Sequence, residues 1–119
     1  MREEMLKAVL GHLNRSIDID ASAVISTDGL SIASLLSATM DEDKVGAMAA
    51  AMVSLGDRIA VELARGKLEQ AMIKGSNGYV LLIHAGHHAV LAVIARKDAR
   101  LGLVFLDSMR AASEVADVL

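Results

Sequence analysis

A chain of 119 residues in which 54% of the side chains are hydrophobic is long enough for one domain with one buried core. Its only aromatic residues are Tyr79 and Phe105, so the core is predicted to be aliphatic, and the chain lacks a platform on which bases stack. The net charge of -3, with scattered Lys and Arg, excludes a basic face for nucleic acid, and the absence of cysteine excludes disulfides and thiolate metal sites.

One stretch has the length and the lack of charge of a membrane span. Residues 75–95 contain no Asp, Glu, Lys or Arg and are long enough to cross a bilayer. His84, Gly86, His87 and His88 interrupt this stretch, and imidazoles around a glycine suit a solvated turn between two strands rather than hydrocarbon. We therefore expect a hairpin here and no direct insertion into a membrane.

The N-terminal residues predict a cytoplasmic protein that begins with a helix. Residues 1–13 carry charged side chains where an export signal has an uncharged apolar stretch. Their apolar side chains recur at helical spacing, which predicts a short amphipathic helix. The apolar face consists of Met5, Leu6, Val9 and Leu13.

A hairpin is predicted to follow the first helix. Residues 21–27 and 30–36 are two largely apolar runs. Asp28 and Gly29 join them, and this pair accepts the backbone conformation of a tight turn. The two runs are therefore expected to be antiparallel strands.

The longest helix is predicted to begin near Thr39 and Glu42, which together resemble a capping box, and to end near Arg65 and Gly66. At about 100° per residue, large apolar side chains line one face of this helix, and we expect that face to pack on the sheet. These side chains are Val45, Met48, Met52, Leu55, Ile59 and Leu63.

Three more strands and a last helix complete the chain. The strands are expected at residues 67–74, 78–84 and 88–95, with short turns between them. The last helix is predicted to follow Asp98, a suitable N-cap. Its apolar stripe consists of Leu101, Phe105, Met109, Ala112, Ala116 and Leu119.

The order α-β-β-α-β-β-β-α predicts one α/β (α+β) domain over residues 1–119. The fourth and fifth strands are apolar without alternation, so both faces of the sheet must be covered. Three helices divided between two faces would cover them.

The outer face of the long helix is the most informative surface of the sequence. It carries Asp43, Ala47, Ala50, Ser54, Asp57 and Val61, whereas a solvated face is usually richer in Lys, Glu and Gln. Small side chains let another backbone approach closely, so we predict that a second chain binds here. The alternative is a solvated helix whose alanines reflect helix propensity alone.

Candidate chemical sites are each better explained in structural terms. His84, His87 and His88 lack the ligand set and spacing of a zinc site. Residues 75–78 are glycine-rich, but no Gly-Lys-Ser/Thr follows them, so no phosphate loop is predicted. No arrangement of Ser, His and Asp suggests a nucleophile. We predict that the protein is not an enzyme, binds no nucleotide itself and uses no metal or other cofactor.

Several segments resemble one known family. Residues 24–33, Val-Ile-Ser-Thr-Asp-Gly-Leu-Ser-Ile-Ala, are similar to the opening hairpin of the roadblock (dynein light-chain) family. Residues 74–79, followed by 101–103 and 110–112, are similar to the second half of its prokaryotic MglB-like subgroup. The resemblance extends over residues 5–119.

The resemblance implies a five-stranded antiparallel sheet between helices and a homodimer that forms through the third strand. That strand would pair with its copy across a two-fold axis through Leu68, Glu69, Gln70, Ala71, Met72 and Ile73. The paired long helices would form a dimer or GTPase interface through Ala47, Ala50, Ala51, Ser54, Asp57, Arg58 and Val61.

The function expected from this resemblance is that of a homodimeric regulator or scaffold that binds a Ras-like small GTPase. Whether it modulates GTP hydrolysis stays open. The alternatives are a small-molecule sensor domain and a purely structural homodimer.

Overall fold

The computed structural model describes residues 1–119, and its eight elements follow the predicted order. They are α1 (Arg2–Leu13), β1 (Ile19–Ser26), β2 (Ser31–Leu35), α2 (Glu42–Glu62), β3 (Gln70–Gly75), β4 (Gly78–His84), β5 (Ala89–Arg96) and α3 (Leu101–Val118). The strands form one antiparallel sheet in the order β2-β1-β5-β4-β3, so the predicted fold class is confirmed. None of the helices has the length and apolar character needed to cross a membrane.

Helices cover both faces of the sheet. α1 and α3 pack together on one face, and α2 lies on the other. The core between the sheet and the α1/α3 pair contains 17 buried residues, whereas the core beneath α2 contains 7. The central strands β1 and β5 are buried on both faces, which explains why the apolar run of β5 does not alternate with polar residues.

The β1–β2 turn determines where α2 crosses the sheet. Gly29 has a φ of +94°, a conformation that favours glycine, and the predicted Asp28-Gly29 turn is confirmed. The Ser26 hydroxyl donates a hydrogen bond to the Asp28 carboxylate and accepts one from the Leu30 N–H at 3.0 Å. A Cβ added at Gly46 would lie 2.5 Å from the Gly29 carbonyl oxygen, so the first turns of α2 rest directly on this backbone.

The cap of α2 differs from the prediction. Asp41, not Thr39, is the N-cap residue. One Asp41 carboxylate oxygen accepts hydrogen bonds from the backbone N–H of Asp43 at 2.9 Å and of Lys44 at 3.2 Å. A carboxylate satisfies these free donors and also interacts favourably with the helix dipole, so it replaces the predicted capping box.

Two further helix ends were also predicted wrongly. α2 ends at Glu62 rather than near Arg65, because Ala64 and Gly66 have φ values of +56° and +84°. Asp98 does not cap α3, whose N-cap position is Arg100 without a side-chain capping bond.

α1 and α3 bury part of each predicted stripe together with residues outside it, because the two helices pack against each other as well as against the sheet. In α1 the buried residues are Leu6, Leu10 and Leu13, while Met5 is exposed. In α3 Met109 is exposed, and the buried residues are Val104, Ser108, Ala111, Ala112 and Val115.

Candidate interaction surface

α2 lies on the sheet through small residues. Its buried residues are Gly46, Ala49 and Val53. A Cβ added at Gly56 would lie 3.0 Å from the Leu68 side chain, so the backbone of α2 also lies close to Leu68. Because the helix backbone approaches the sheet this closely, large side chains have no room beneath it.

The predicted sheet-facing stripe of α2 is therefore largely wrong. Val45 and Met52 do pack against the core on this side. The other four members point away from the core and are exposed: Met48, Leu55, Ile59 and Leu63.

Three of these residues form an exposed apolar row, which we call the α2 stripe: Met48, Leu55 and Ile59. Their side chains are 63%, 51% and 49% exposed, and spacings of seven and four residues place them on one side of the helix. Arg58 and Glu62 flank the stripe and form an ion pair at 3.6 Å. An exposed apolar centre with a charged rim is typical of a protein-binding surface.

The interface residues predicted for α2 fall into two groups. Ala50 and Asp57 are half-buried, and Ala50 lies beside Gly29 in the β1–β2 turn. The remaining residues are exposed around the α2 stripe: Ala47, Ala51, Ser54, Arg58 and Val61. Ala50 is thus at the margin of the exposed face rather than at its centre.

Asp57 connects α2 to the sheet through a histidine. Its Oδ1 atom lies 3.1 Å from Nε2 of His84, the last residue of β4. This is the one side-chain hydrogen bond between α2 and another element. His84 ends β4, as the predicted strand over residues 78–84 has it, but its side chain is only 28% exposed and does not belong to the solvated turn. His87 and His88 are exposed in the turn as predicted.

β3 presents a free edge next to α2. It pairs with β4 alone, so its other side lacks a partner strand. Met72 and Ile73 in this strand are each 43% exposed, and Ala71 packs beneath α2. Gln70 begins the strand, so three residues of the predicted strand lie before it, namely Lys67, Leu68 and Glu69. Leu68 and Glu69 are also members of the predicted dimer interface.

The buried Asp18 carboxylate, just before β1, pairs with Arg96 at the end of β5 and with Arg100 at the N-cap of α3, and the sequence reasoning missed this ion cluster. The Asp18 carboxylate accepts a hydrogen bond from Arg100 Nε at 2.8 Å and one from Arg96 Nη2 at 3.3 Å. Burial acts to raise the pKa of Asp18, but the hydrogen bond and charge of Arg100, together with the hydrogen bond from Arg96, hold it below its usual value. The cluster lies at the β5–α3 junction and has a structural role.

A cleft lies between α1 and α3. It has a volume of about 260 Å³, a floor of Val9, Leu13 and Ala111, and a polar rim. The rim consists of His12, Arg15, Ser16, Asp107, Arg110 and Glu114. No three His, Asp or Glu side chains lie close enough together to hold a metal ion.

The family assignment follows from sequence comparison. The Roadblock/LC7 domain profile matches residues 5–95, and the chain belongs to this family. An uncharacterised protein of Methanocaldococcus jannaschii is 40% identical over 111 residues, which are 93% of this chain and 96% of that protein. Another from the same organism is 38% identical over 115 residues, which are 97% of both chains.

Solved structures with the same fold include two MglB proteins. The gliding protein MglB of Thermus thermophilus is 21% identical, with a TM-score of 0.87 over 98% of this chain and 90% of that chain. MglB of Myxococcus xanthus is 20% identical, with a TM-score of 0.89 over 97% of this chain and 87% of that chain. A Roadblock/LC7 domain from Streptomyces avermitilis is 18% identical, with a TM-score of 0.84 over 97% and 94% of the two chains. The roadblock fold expected from the resemblance is confirmed.

Proposed function

We propose that the protein is a cytoplasmic, homodimeric regulator or scaffold that binds a Ras-like small GTPase. The observation that carries this proposal is the α2 stripe, an apolar row beside the free edge of β3. Membership of the Roadblock/LC7 family and the fold shared with MglB support the same class of partner.

The proposed dimer is supported by the α2 stripe and the free edge of β3 together. The free backbone groups of β3 are satisfied when a second copy of β3 pairs with them in antiparallel fashion, which joins two sheets into one of ten strands. A two-fold axis at this edge also places both copies of α2 on the same side of the joined sheet. The paired helices then form one wide surface for the GTPase.

The proposal is tested by a charge placed in the α2 stripe. Leu55→Arg replaces an exposed apolar side chain, so the monomer should stay folded while the affinity for a Ras-like small GTPase of the same organism falls by about tenfold or more. Leu106→Arg is the matched control, because Leu106 is 61% exposed on α3, across the sheet from α2. Pull-down and sedimentation of both variants distinguish loss of the GTPase from loss of the dimer. Wild-type behaviour of Leu55→Arg in both assays would refute the proposal.

A small-molecule sensor is the second candidate, and the cleft between α1 and α3 favours it. Its volume of about 260 Å³ is below the roughly 300–1,000 Å³ of ordinary ligand pockets, and its rim is open to solvent. We therefore rank this function below GTPase binding. A purely structural homodimer is the outcome if the protein dimerises but binds no GTPase.

A further inference from the structure

The C-terminal half of α2 has few contacts with the rest of the molecule. All three buried residues of the helix, Gly46, Ala49 and Val53, lie in its N-terminal and middle turns. Beyond Val53 the helix contacts the body through Gly56, which packs on Leu68, and through the hydrogen bond between Asp57 and His84, and Ala60 is half-buried. A helix segment with so little buried surface opens locally more easily than the core does.

We infer that the Asp57–His84 pair is a proton-dependent positioning contact that sets the order of the C-terminal half of α2. This inference rests on the proposed function, since Ile59 of the α2 stripe lies two residues beyond Asp57. Histidine changes charge between about pH 5 and pH 8. A protonated His84 makes a charge-assisted hydrogen bond to the Asp57 carboxylate, which is stronger than the neutral bond.

The surroundings of His84 leave Asp57 as its direct partner. Lys67 and His87 line the cavity beside the pair. Arg65 and Glu69 line the adjoining cavity with Lys67, and their charges are of opposite sign. The residues of β5 and α3 nearest to His84 are Val90, its cross-strand neighbour, and Met109, and neither carries a charge.

The Asp57–His84 pair is expected to make the order of α2 depend on pH, which a contact without a change of charge would not do. Lowering the pH strengthens it, so α2 becomes better ordered in mild acid and its stripe is held in place for a partner. Asp57 is 45% and His84 28% exposed, so solvent screens the gain. We expect a change of about two- to fivefold in local opening, the range that corresponds to a partly exposed ion pair.

Amide hydrogen exchange of the full chain tests the inference. After correction for intrinsic exchange, protection of the amides of residues 57–62 should rise about two- to fivefold between about pH 8 and pH 5.5. His84→Gln keeps a neutral hydrogen-bond donor but cannot titrate, so this rise should disappear. His88→Gln is the control, because His88 is exposed in the turn and makes no side-chain hydrogen bond, and it should behave as the wild type.

GTPase affinity over the same pH interval is the second readout. It should increase for the wild type by a similar factor and stay constant for His84→Gln. If no GTPase binds at any pH, the proposed function fails, while the exchange measurement still tests the pair. Exchange that is independent of pH, or that changes equally in wild type and His84→Gln, would overturn the inference.

Discussion

Asp18 shows how one buried charge depends on its partners. The carboxylate is fully buried and is neutralised by Arg96 and Arg100. Because its pKa is lower in the folded state, the ionised form stabilises the fold at pH values above the unfolded-state pKa of about 4. That stabilisation is lost as the pH falls through the folded-state value.

Asp18→Asn is therefore expected to lower the Tm at pH 7, because both arginines lose their counter-charge. The difference from wild type should shrink as the pH falls below the unfolded-state pKa of about 4 and toward the lower folded-state pKa, because the advantage of the ionised carboxylate is then lost. Asp20→Asn, an exposed position two residues further on, should have little effect. Thermal melts monitored by circular dichroism measure both variants, and a difference that stays constant down to pH 3 would contradict the role of the charge.

Gly46 occupies a position at which the β1–β2 turn leaves no room for a side chain. Gly46→Ala would push a methyl group to 2.5 Å from the Gly29 carbonyl oxygen, and we expect it to cost about 1–3 kcal/mol of unfolding free energy. Gly102→Ala in α3 is the control, because a Cβ there meets no atom within 4 Å, and it should stabilise by up to about 1 kcal/mol. Urea denaturation measures both changes. Equal effects of the two variants would show that α2 does not rest on the turn.

At the scale of elements, local patterns were sufficient for the order of helices and strands and for the Asp28-Gly29 turn. They were not sufficient for the packing of α2, because a hydrophobicity pattern assigns Met and Leu, rather than Gly and Ala, to the buried face of a helix. The packed face is decided instead by how closely the backbone approaches the turn and Leu68. The spacing of Gly46, Ala49, Val53 and Gly56 was the available signal for this close approach. The partners of Asp18 lie 78 and 82 residues away, and that of Asp57 lies 27 residues away, so no local pattern indicates either contact.

The free edge of β3 is expected to pair with a second copy, and two adjacent prolines test it. Backbone N–H groups alternate in direction along a strand, so one of Met72 and Ile73 donates toward β4 and the other toward the free edge. Met72→Pro and Ile73→Pro should therefore differ. One variant should lose stability by about 1–3 kcal/mol, because its ladder hydrogen bond to β4 is lost, and the other should stay folded but become monomeric. Sedimentation and thermal melts measure both variants. If both variants stay folded and dimeric, this strand is not the interface.

At the scale of the whole molecule, the two faces of the sheet are unequally supported. The core under α2 has 7 buried residues against 17 on the other face, and the α2 stripe remains exposed above it. Covering the stripe with a second chain would add apolar burial on the weaker side. Stability is then expected to be shared between folding and association, as in many homodimers.

Such a coupling makes the Tm depend on protein concentration. For a dimer that unfolds to monomers, a tenfold increase in concentration stabilises the folded state by about 1.4 kcal/mol, which corresponds to a rise of roughly 3–5 °C for two chains of this size. Leu55→Arg should abolish the rise if the α2 stripe is in the dimer interface, because the variant melts as a monomer. If the stripe serves only the GTPase, the variant should keep the wild-type rise and lose only GTPase binding. Melts of wild type, Leu55→Arg and Leu106→Arg over a hundredfold range of concentration separate these outcomes, and a wild-type Tm that does not change with concentration would contradict a dimer coupled to folding.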